Sequence, residues 1–396
     1  MKAERSPQRE FGSPEEVMQR AVELARRGIG WVEPNPAVGA VVVDRHLRLL
    51  GEGFHRKFGE AHAEVEALRA CPSPLPPDAV LFVTLEPCCH YGKTPPCTEA
   101  ILQAGIRHVV VGMIDPSPHA AGQGIERLRA AGVQVEVGLL EQEVRKLNAP
   151  FVKRVTTGLP YVHVKWAMTL DGKTATRTGS SQWISNEASR RLVHQLRGRM
   201  DAVCVGIRTV LADDPLLTAR PPGPRLAVRV VFDSQALLPL HSRLVQTARE
   251  VPVLLVTTAA ASQQKLDQLQ QAGVEVLVTG KKPCQTRTGG ETEEKRVCLK
   301  EALEKLAARS MTNVLFEGGG TLVGGLFDER LVDEVHAFVA PKFFGGRHAP
   351  TPVCGEGVSV VTEAALLEDV EISVLETDVY IHGRLHWPDG TTNRTG

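Results

Sequence analysis

The 396-residue sequence predicts an α/β protein of two domains. Three observations lead there. The length exceeds what one core ordinarily serves, since single cores stop growing at about 250–300 residues. Short runs rich in Val, Ile and Leu alternate with helical patterns along most of the chain, the order that builds a sheet covered by helices. Hydrophobic residues make up 42% of the chain, enough for packed cores, yet no apolar run is long enough to span a bilayer.

The elements follow in order. Met1–Gly12 is charged, with acids among its bases, and reads as a frayed tail rather than a signal peptide. Ser13-Pro14-Glu15-Glu16 opens a helix with a capping hydroxyl, Pro at the first helical position and acids in the first turn. Met18, Ala21, Val22, Leu24 and Ala25 recur at helical spacing, and Gly28 and Gly30 end the pattern. Val38–Val43 is a β-branched run suited to a buried strand, with Leu49–His55 as its hairpin partner. His62–Ala70 is helical by pattern, which places His62 and Glu64 at a helix N-terminus. Strands are expected at Val80–Leu85, His108–Met113 and Val133–Val137, with helices from about Pro95 and over Gly124–Ala131. Together these make an α/β sandwich over 13–147. Asn148–Gly158 is the expected linker to a second α/β domain over 160–386. There, strand patterns occur at Tyr161–Trp166, Ala202–Gly206, Ala227–Phe232, Val253–Val256, Val274–Val278 and Val314–Phe316, completed by Leu331–Ala340 and Val370–Val379. Helical patterns lie at Ser189–Leu196, Gln263–Gln271 and Lys300–Ala308. Lys281–Lys295 has charges, Gly and Thr without periodicity and reads as a surface insertion.

Chemistry concentrates in His62-Ala63-Glu64 and Glu86-Pro87-Cys88, with eight residues between Cys88 and Cys97. One His and two thiols supply three ligands to a tetrahedral Zn²⁺. A water in the fourth position loses a proton near neutral pH. Glu64, two residues past the His, is placed to shuttle protons without binding metal. His-x-Glu with Pro-Cys and a second Cys is the signature of zinc-dependent base deaminases. Each residue alone has a plainer reading, as a surface His or a buried small thiol; the combination makes those readings poor. Cys89 is a rival ligand to Cys88, and His90 is either a further ligand or a group facing substrate.

Lys plus Arg equals Asp plus Glu at 46 each, and aromatic residues are only 5%, so a nucleic-acid partner is not expected. No membrane partner is expected either. Eight cysteines are too sparse for a disulfide scaffold at this length, and two at metal-ligand spacing fit a reducing, cytoplasmic setting.

The motifs Pro34-Asn35-Pro36-x-Val38-Gly39-Ala40-Val41-Val42, Gly51-Glu52-Gly53-x-His55, His62-Ala63-Glu64-Val65 and Thr84-Leu85-Glu86-Pro87-Cys88-x-His90-x-Gly92-Lys93-Thr94-Pro95-Pro96-Cys97 resemble the deaminase half of the bifunctional RibD family of riboflavin biosynthesis. The long Cys-to-Cys loop separates that family from cytidine and tRNA deaminases. The resemblance implies a cytidine-deaminase-like α/β/α sandwich that removes the ring amino group of 2,5-diamino-6-(5-phosphoribosylamino)pyrimidin-4(3H)-one. Glu64 is then catalytic, and Asn35, His55, His90 and Lys93 contact this small phosphoribosyl-pyrimidine. Cations at His90 and Lys93 suit a ribose phosphate. Asp115-Pro116-Ser117-Pro118 departs from the family's Asp-Pro-Asn-Pro at Ser117.

In the second half, Glu317-Gly318-Gly319-Gly320-Thr321-Leu322-Val323-Gly324-Gly325 follows a strand and opens a helix. Such glycines let backbone N–H groups approach a phosphate at a helix N-terminus, though a tight strand-to-helix turn explains them as well. The pattern is not a Rossmann fingerprint. Lys165 to Lys173, Ser181-Gln182-Trp183-Ile184-Ser185 and Gly206 to Thr218 resemble the reductase half of the same family. That half implies a dihydrofolate-reductase-like fold that uses NADPH to reduce the ribosyl group to ribityl. By this resemblance Ala167, Trp183, Thr209, Asp213, Ser234 and Gly319, Gly320, Thr321, Leu322, Val323, Gly324 and Gly325 line the cofactor site. Ser181, Arg197, Leu217, Arg220 and Glu317 contact substrate, the two arginines as phosphate clamps. Lys165 is the candidate proton donor, with Glu317 as an alternative relay. Family members are often oligomers, so a homodimer or homotetramer is expected. A nucleic-acid base deaminase and a zinc-stabilised binding protein are the competing readings; the second-half motifs oppose the first and Glu64 the second.

Overall fold

The computed structural model describes residues 9–93, 95–118, 120–280 and 296–388. The segment read as an insertion at 281–295, and residues 1–8 of the expected frayed tail, lie outside them. Residues 9–12 are not frayed: Phe11 N–H donates to Leu47 O at 3.1 Å, Leu49 N–H donates to Arg9 O at 2.8 Å, and Phe11 is buried. The chain divides between Thr157 and Gly158 into two compact units.

The first unit contains helix α1 (Pro14–Arg26), strands β1 (Gly39–Val43) and β2 (Leu49–Phe54), α2 (Ala63–Arg69), β3 (Val80–Leu85), α3 (Cys97–Gln103), β4 (His108–Met113), α4 (Gln123–Ala130), β5 (Gln134–Val137), α5 (Glu141–Leu147) and α6 (Ala149–Thr157). Ser13 caps α1 through its side chain, as the sequence predicts. The sheet order is β2-β1-β3-β4-β5, antiparallel through β1 and parallel from β3 to β5. Ala63, Ala67, Ile101, Ile125 and Leu128 from α2, α3 and α4 pack with the inward residues of one sheet face. Met18, Ala21 and Leu24 from α1 pack on the other, with Val41, Val43, Phe82 and Val110. This is the α/β/α sandwich.

The expected linker is instead helix α6, and it begins inside this unit. Asn148 is buried, accepting from Ala37 N–H at 2.8 Å and donating to Ala37 O at 3.0 Å. Phe151 and Val152 join a small core with Val22, Leu85 and Val144. Long-range burial overrode a local reading that found only a shift in pattern.

The second unit runs β6 (Tyr161–Thr169), α7 (Glu187–Arg197), β7 (Ala202–Gly206), α8 (Ile207–Asp213), β8 (Val228–Phe232), α9 (Arg243–Gln246), β9 (Val253–Thr258), α10 (Gln263–Gln271), β10 (Glu275–Thr279), α11 (Leu299–Ala308), β11 (Asn313–Glu317), α12 (Gly320–Asp328), β12 (Glu334–Ala340), β13 (Leu366–Leu375) and β14 (Asp378–His386). Its sheet order is β10-β9-β8-β7-β11-β6-β12-β14-β13, with β12, β14 and β13 antiparallel to one another and the rest parallel. Leu303, Leu306, Val323 and Leu326 from α11 and α12 cover one face. Val210, Leu244, Leu266 and Leu269 pack against another part of the sheet. The expected strand at Val370–Val379 is two strands: it straddles the two-residue turn Glu376-Thr377 between β13 and β14. Glu376 takes a positive φ of 56° with no Gly, Asn or Pro to announce the turn.

Candidate active sites

The first site begins with two glycines. A Cβ on Gly51 would lie 2.4 Å from Ala67 O, and one on Gly53 2.5 Å from Ala67 N, so α2 rests on β2 backbone to backbone. That contact sets where the α2 N-terminus points. His62 caps α2 in extended geometry, and its Nδ1 stands 3.6 Å from Cys88 Sγ and 3.3 Å from Cys97 Sγ. Cys97 opens α3 and its N–H donates to Cys88 Sγ at 3.3 Å. A tetrahedral zinc with ordinary Zn–N and Zn–S bonds needs N-to-S edges of about 3.6 Å, so the three donors fit that ion. The Cys97 thiol hydrogen-bonds Cys88 and, against burial, His62 does too, which holds the Cys88 thiol well below its usual range, as a metal thiolate requires. Cys89 is not part of this group; its Sγ faces Gln123 Oε1 at 3.9 Å.

Glu64 is buried in the first turn of α2. Burial, and then the Cys88 charge, push its carboxyl up to about 7; a bound dication would draw it back down. A cavity of about 620 Å³ opens over His62, Cys88 and Glu64, and Asn35, His55, His90 and Lys93 all line it. Every residue the sequence placed against substrate in this half is therefore in one chamber. Asn35 Nδ2 lies 3.2 Å from His55 Nε2, and His55 Nδ1 3.1 Å from Ala61 O, so His55 is the neutral tautomer that donates to Ala61 and accepts from Asn35. Burial lowers its pKa and keeps it neutral. Lys93 Nζ rests 3.9 Å from the Phe58 ring centroid at the cavity wall.

Sequence reasoning missed Glu86. Its carboxylate accepts from Asp115 N–H at 3.1 Å, Gly122 N–H at 2.9 Å, Gly124 N–H at 2.8 Å and Ile125 N–H at 3.2 Å. Helix α4 begins at a left-handed Gly122 with no side-chain cap of its own. Glu86 thus neutralises that N-terminus from across the fold and holds the turn carrying Asp115 and Ser117 into the cavity. The sequence offered no signal for it beyond a carboxylate directly after the strand run Val80–Leu85.

The second site lies at the C-terminal ends of parallel strands, where open α/β sheets bind ligands. Gly206 ends β7, Glu317 ends β11, and Ser234 follows β8 by two residues. Gly318 and Gly319 take φ of 88° and 82°, and a Cβ on Gly319 would lie 3.6 Å from Thr209 Oγ1 and 3.9 Å from Gly206 N. Gly319, Leu322 and Thr209 therefore converge, a cradle that fits a dinucleotide phosphate. The rest of the glycine run has another purpose. A Cβ on Gly320 would lie 2.4 Å from Thr351 O, and one on Gly324 1.9 Å from Cys354 O. These glycines let a neighbouring segment pack on α12. Val323 is fully buried in the core, so its side chain does not line a cofactor site; Thr321 is exposed and Gly325 half-buried.

Lys165, Arg197 and Glu317 form one buried group. Arg197 Nε and Nη2 donate to Glu317 at 2.5 and 2.8 Å, Arg197 Nη1 donates to Thr218 O at 3.2 Å, and Lys165 Nζ lies 3.6 Å from Glu317 Oε2. Burial would raise the Glu317 carboxyl, but Arg197 and then Lys165 outweigh it and hold it at about 2. Burial lowers the pKa of Lys165 despite Glu317. Arg197 is thus paired with Glu317 in this structure. Arg220 is exposed, and Arg197 and Arg243 add positive charge beside it. Ser181 Oγ donates to Asp213 Oδ1 at 3.0 Å. Leu217 is buried in the core at a φ of 56°, which leaves only its backbone for a ligand. Trp183 is 64% exposed and stacks under Arg190, so it is not a core residue. Ser234 Oγ accepts from Val297 N–H at 3.3 Å, and Ala167 is half-buried on β6.

Family comparison divides the chain into the same two parts. Residues 12–113 match the cytidine and deoxycytidylate deaminase zinc-binding region, and residues 160–381 match the RibD C-terminal domain. The riboflavin biosynthesis protein RibD of Actinobacillus pleuropneumoniae is 41% identical over 366 residues, 92% of this chain and 94% of that protein. The chain belongs to the RibD family. Acinetobacter baumannii RibD superposes with a TM-score of 0.80 at 35% identity, over 94% of this chain and 98% of that one. A Thermotoga maritima diaminohydroxyphosphoribosylaminopyrimidine deaminase/5-amino-6-(5-phosphoribosylamino)uracil reductase gives 0.77 at 36% identity, with the same coverage. The chain is accordingly a bifunctional deaminase and reductase of riboflavin biosynthesis that uses zinc and NADPH, with a cytidine-deaminase-type unit followed by a dihydrofolate-reductase-like one. No helix among the described residues is long and apolar enough to cross a membrane.

Proposed function

We propose that a domain over 13–147 deaminates 2,5-diamino-6-(5-phosphoribosylamino)pyrimidin-4(3H)-one, and that a domain over 160–386 reduces the ribosyl group of 5-amino-6-(5-phosphoribosylamino)uracil to ribityl. The observation that carries this reading is the chamber in which His62, Cys88 and Glu64 sit beneath Asn35, His55, His90 and Lys93. His62, Cys88 and Cys97 hold the zinc, which supplies an activated water. Glu64 would take one proton from that water and pass it to the ring nitrogen, then carry the proton of the added hydroxyl to the departing amino group, so that the carbonyl forms and ammonia leaves. Asn35, oriented by His55, addresses the pyrimidine edge, while His90 and Lys93 meet the ribose phosphate.

In the second domain NADPH supplies the hydride. Gly319, Leu322 and Thr209 cradle it, with Ala167, Trp183, Asp213 and Ser234 nearer its edges. Lys165 donates the proton to the ribose ring oxygen as the hydride adds at C1′ and the bond between C1′ and that oxygen breaks; a lysine whose pKa is lowered by burial is a stronger acid for that task. Glu317 orients Lys165 and is itself held by Arg197. Arg220, with Ser181 and the Leu217 backbone, receives the phosphorylated substrate. Leu366, Val370, Ile372 and Val374 leave apolar side chains exposed on the edge strand β13, which supports a homo-oligomer. Val374→Asp should lower the mass measured by light scattering; an unchanged mass removes β13 from the interface. The free thiols at the zinc site fit a cytoplasmic setting.

The test follows ammonia release and NADPH oxidation together on zinc-replete protein given the diamino-pyrimidine phosphate. Glu64→Ala should keep its zinc and lose ammonia release by about 10²-fold or more, yet still reduce substrate deaminated beforehand. Undiminished ammonia release would take Glu64 out of the chemistry.

A further inference from the structure

Three side chains of the second unit converge on one point that neither reaction uses. His163 on β6 pairs directly with Glu334 on β12, and His336 follows Glu334 by two residues, so all three project from the same sheet face. His163 Nδ1 is 3.3 Å from His336 Nε2 and 3.4 Å from Glu334 Oε1, and His336 Nε2 is 3.3 Å from that same oxygen. The triangle is nearly equilateral. All three sides are longer than the about 2.9–3.0 Å at which N–H···O hydrogen bonds are commonest. His382 Nε2, by contrast, lies 2.6 Å from Glu334 Oε1, a true hydrogen bond.

With both rings neutral, their outer partners allow lone pairs to face inward. His163 Nε2 lies 3.2 Å from the Asn313 Oδ1 acceptor, so Nε2 carries a hydrogen, and in the neutral ring Nδ1 is bare. His336 Nδ1 lies 2.8 Å from Tyr380 Oη, and a hydrogen on Nδ1 directed there leaves Nε2 bare as well. Glu334 keeps one lone pair of Oε1 for His382 and one for the centre. Ligating imidazoles are oriented in this way, through the ring nitrogen that does not bind metal. His163 and His336 are buried, with 6% and 2% exposure, and three electron-rich atoms facing each other in such surroundings repel unless a cation lies between them.

We propose that His163, Glu334 and His336 bind a divalent first-row metal ion, zinc foremost, at a site separate from that of His62, Cys88 and Cys97. A tetrahedral zinc with N and O ligands has edges of about 3.3–3.4 Å, which the three distances match. Two His, one carboxylate and a water complete such a site. The ion joins β6 to β12 and, through the His382 contact, to β14. It lies two residues along β6 from Lys165, on the same face. Its place is structural: it braces the sheet beneath the reductase group and takes no part in deamination.

The full chain, loaded with zinc, passed through gel filtration and analysed for metal, tests this. Wild type should carry two zinc ions per chain, Cys88→Ser/Cys97→Ser one, and His336→Gln one with ammonia release unchanged. Cobalt in the cysteine double variant should give visible d–d bands without the near-ultraviolet charge transfer of a thiolate, and His336→Gln added to that variant should abolish them. One zinc in wild type with none in the cysteine variant overturns the proposal and leaves a protonated imidazole at the centre. If the cysteine variant does not fold, His336→Gln decides alone: fewer ions than wild type support the site, and an equal number refutes it.

Discussion

Glu317→Gln removes the one carboxylate that holds Lys165 and Arg197 together, and its cost can be worked in two ways. Glu317 is buried at the end of β11, gripped by Arg197 at 2.5 and 2.8 Å with Lys165 at 3.6 Å. Its carboxyl stands at about 2 in the folded chain against 4.5 ordinarily. At about 1.36 kcal/mol per pH unit, that gap stabilises the fold by roughly 3 kcal/mol. The folded pKa is depressed, so this stabilisation is complete above pH 4.5 and is lost as pH falls through about 2. Removing one partner of a buried ion pair costs about 3–5 kcal/mol by direct experience. Lys165, already lowered by burial, can shed its proton once Glu317 is neutral, which places the cost at the lower end. The expected loss is therefore about 3 kcal/mol, or roughly 1 M in the urea midpoint. Trp166, Trp183 and Trp387 lie in the second unit and Trp31 in the first, so tryptophan fluorescence reports chiefly on the unit at issue. NADPH oxidation should fail while ammonia release persists. A variant that unfolds at the wild-type urea concentration, with the same acid dependence, would refute the account of this ion pair.

Glu86→Gln puts an amide among four backbone donors and should destabilise the first unit by about 2 kcal/mol, with a raised KM for deamination because the turn bearing Asp115 and Ser117 loosens; an unaltered KM and melting temperature would mean that water replaces the carboxylate. Gly324→Ala places a Cβ 1.9 Å from Cys354 O and should cost about 1–3 kcal/mol through overpacking. The damage should appear as weaker NADPH binding in a titration, with deamination intact; unchanged affinity would show that α12 can shift without disturbing Gly319.

The metal site was legible because its parts are nearly local. Cys88 and Cys97 share one loop, His62 and Glu64 share one helical turn, and few side chains other than His and Cys make such ligands. Strand and helix patterns were legible at most elements where a periodic face met a core, although the short helices α5 and α8 were not among those expected. They failed where the decisive contact was distant: α6 is held by Asn148 on Ala37, 111 residues away in sequence, and the β13–β14 turn uses Glu376 without any turn residue to mark it.

The sequence by itself determined the class of fold, and it singled out His62, Cys88, Cys97 and Glu64 with the residues that share a chamber above them. Tertiary structure alone decided that Arg197 pairs with Glu317, that Glu86 caps a helix from another strand, and that Gly320 and Gly324 admit the Thr351–Cys354 segment where Gly319 faces Thr209. It alone brought His163 to Glu334 and His336. The reason is common to all of these. Such contacts depend on which strands lie side by side and in what register, and register is set by packing over the whole sheet, not by the residues that the register brings together.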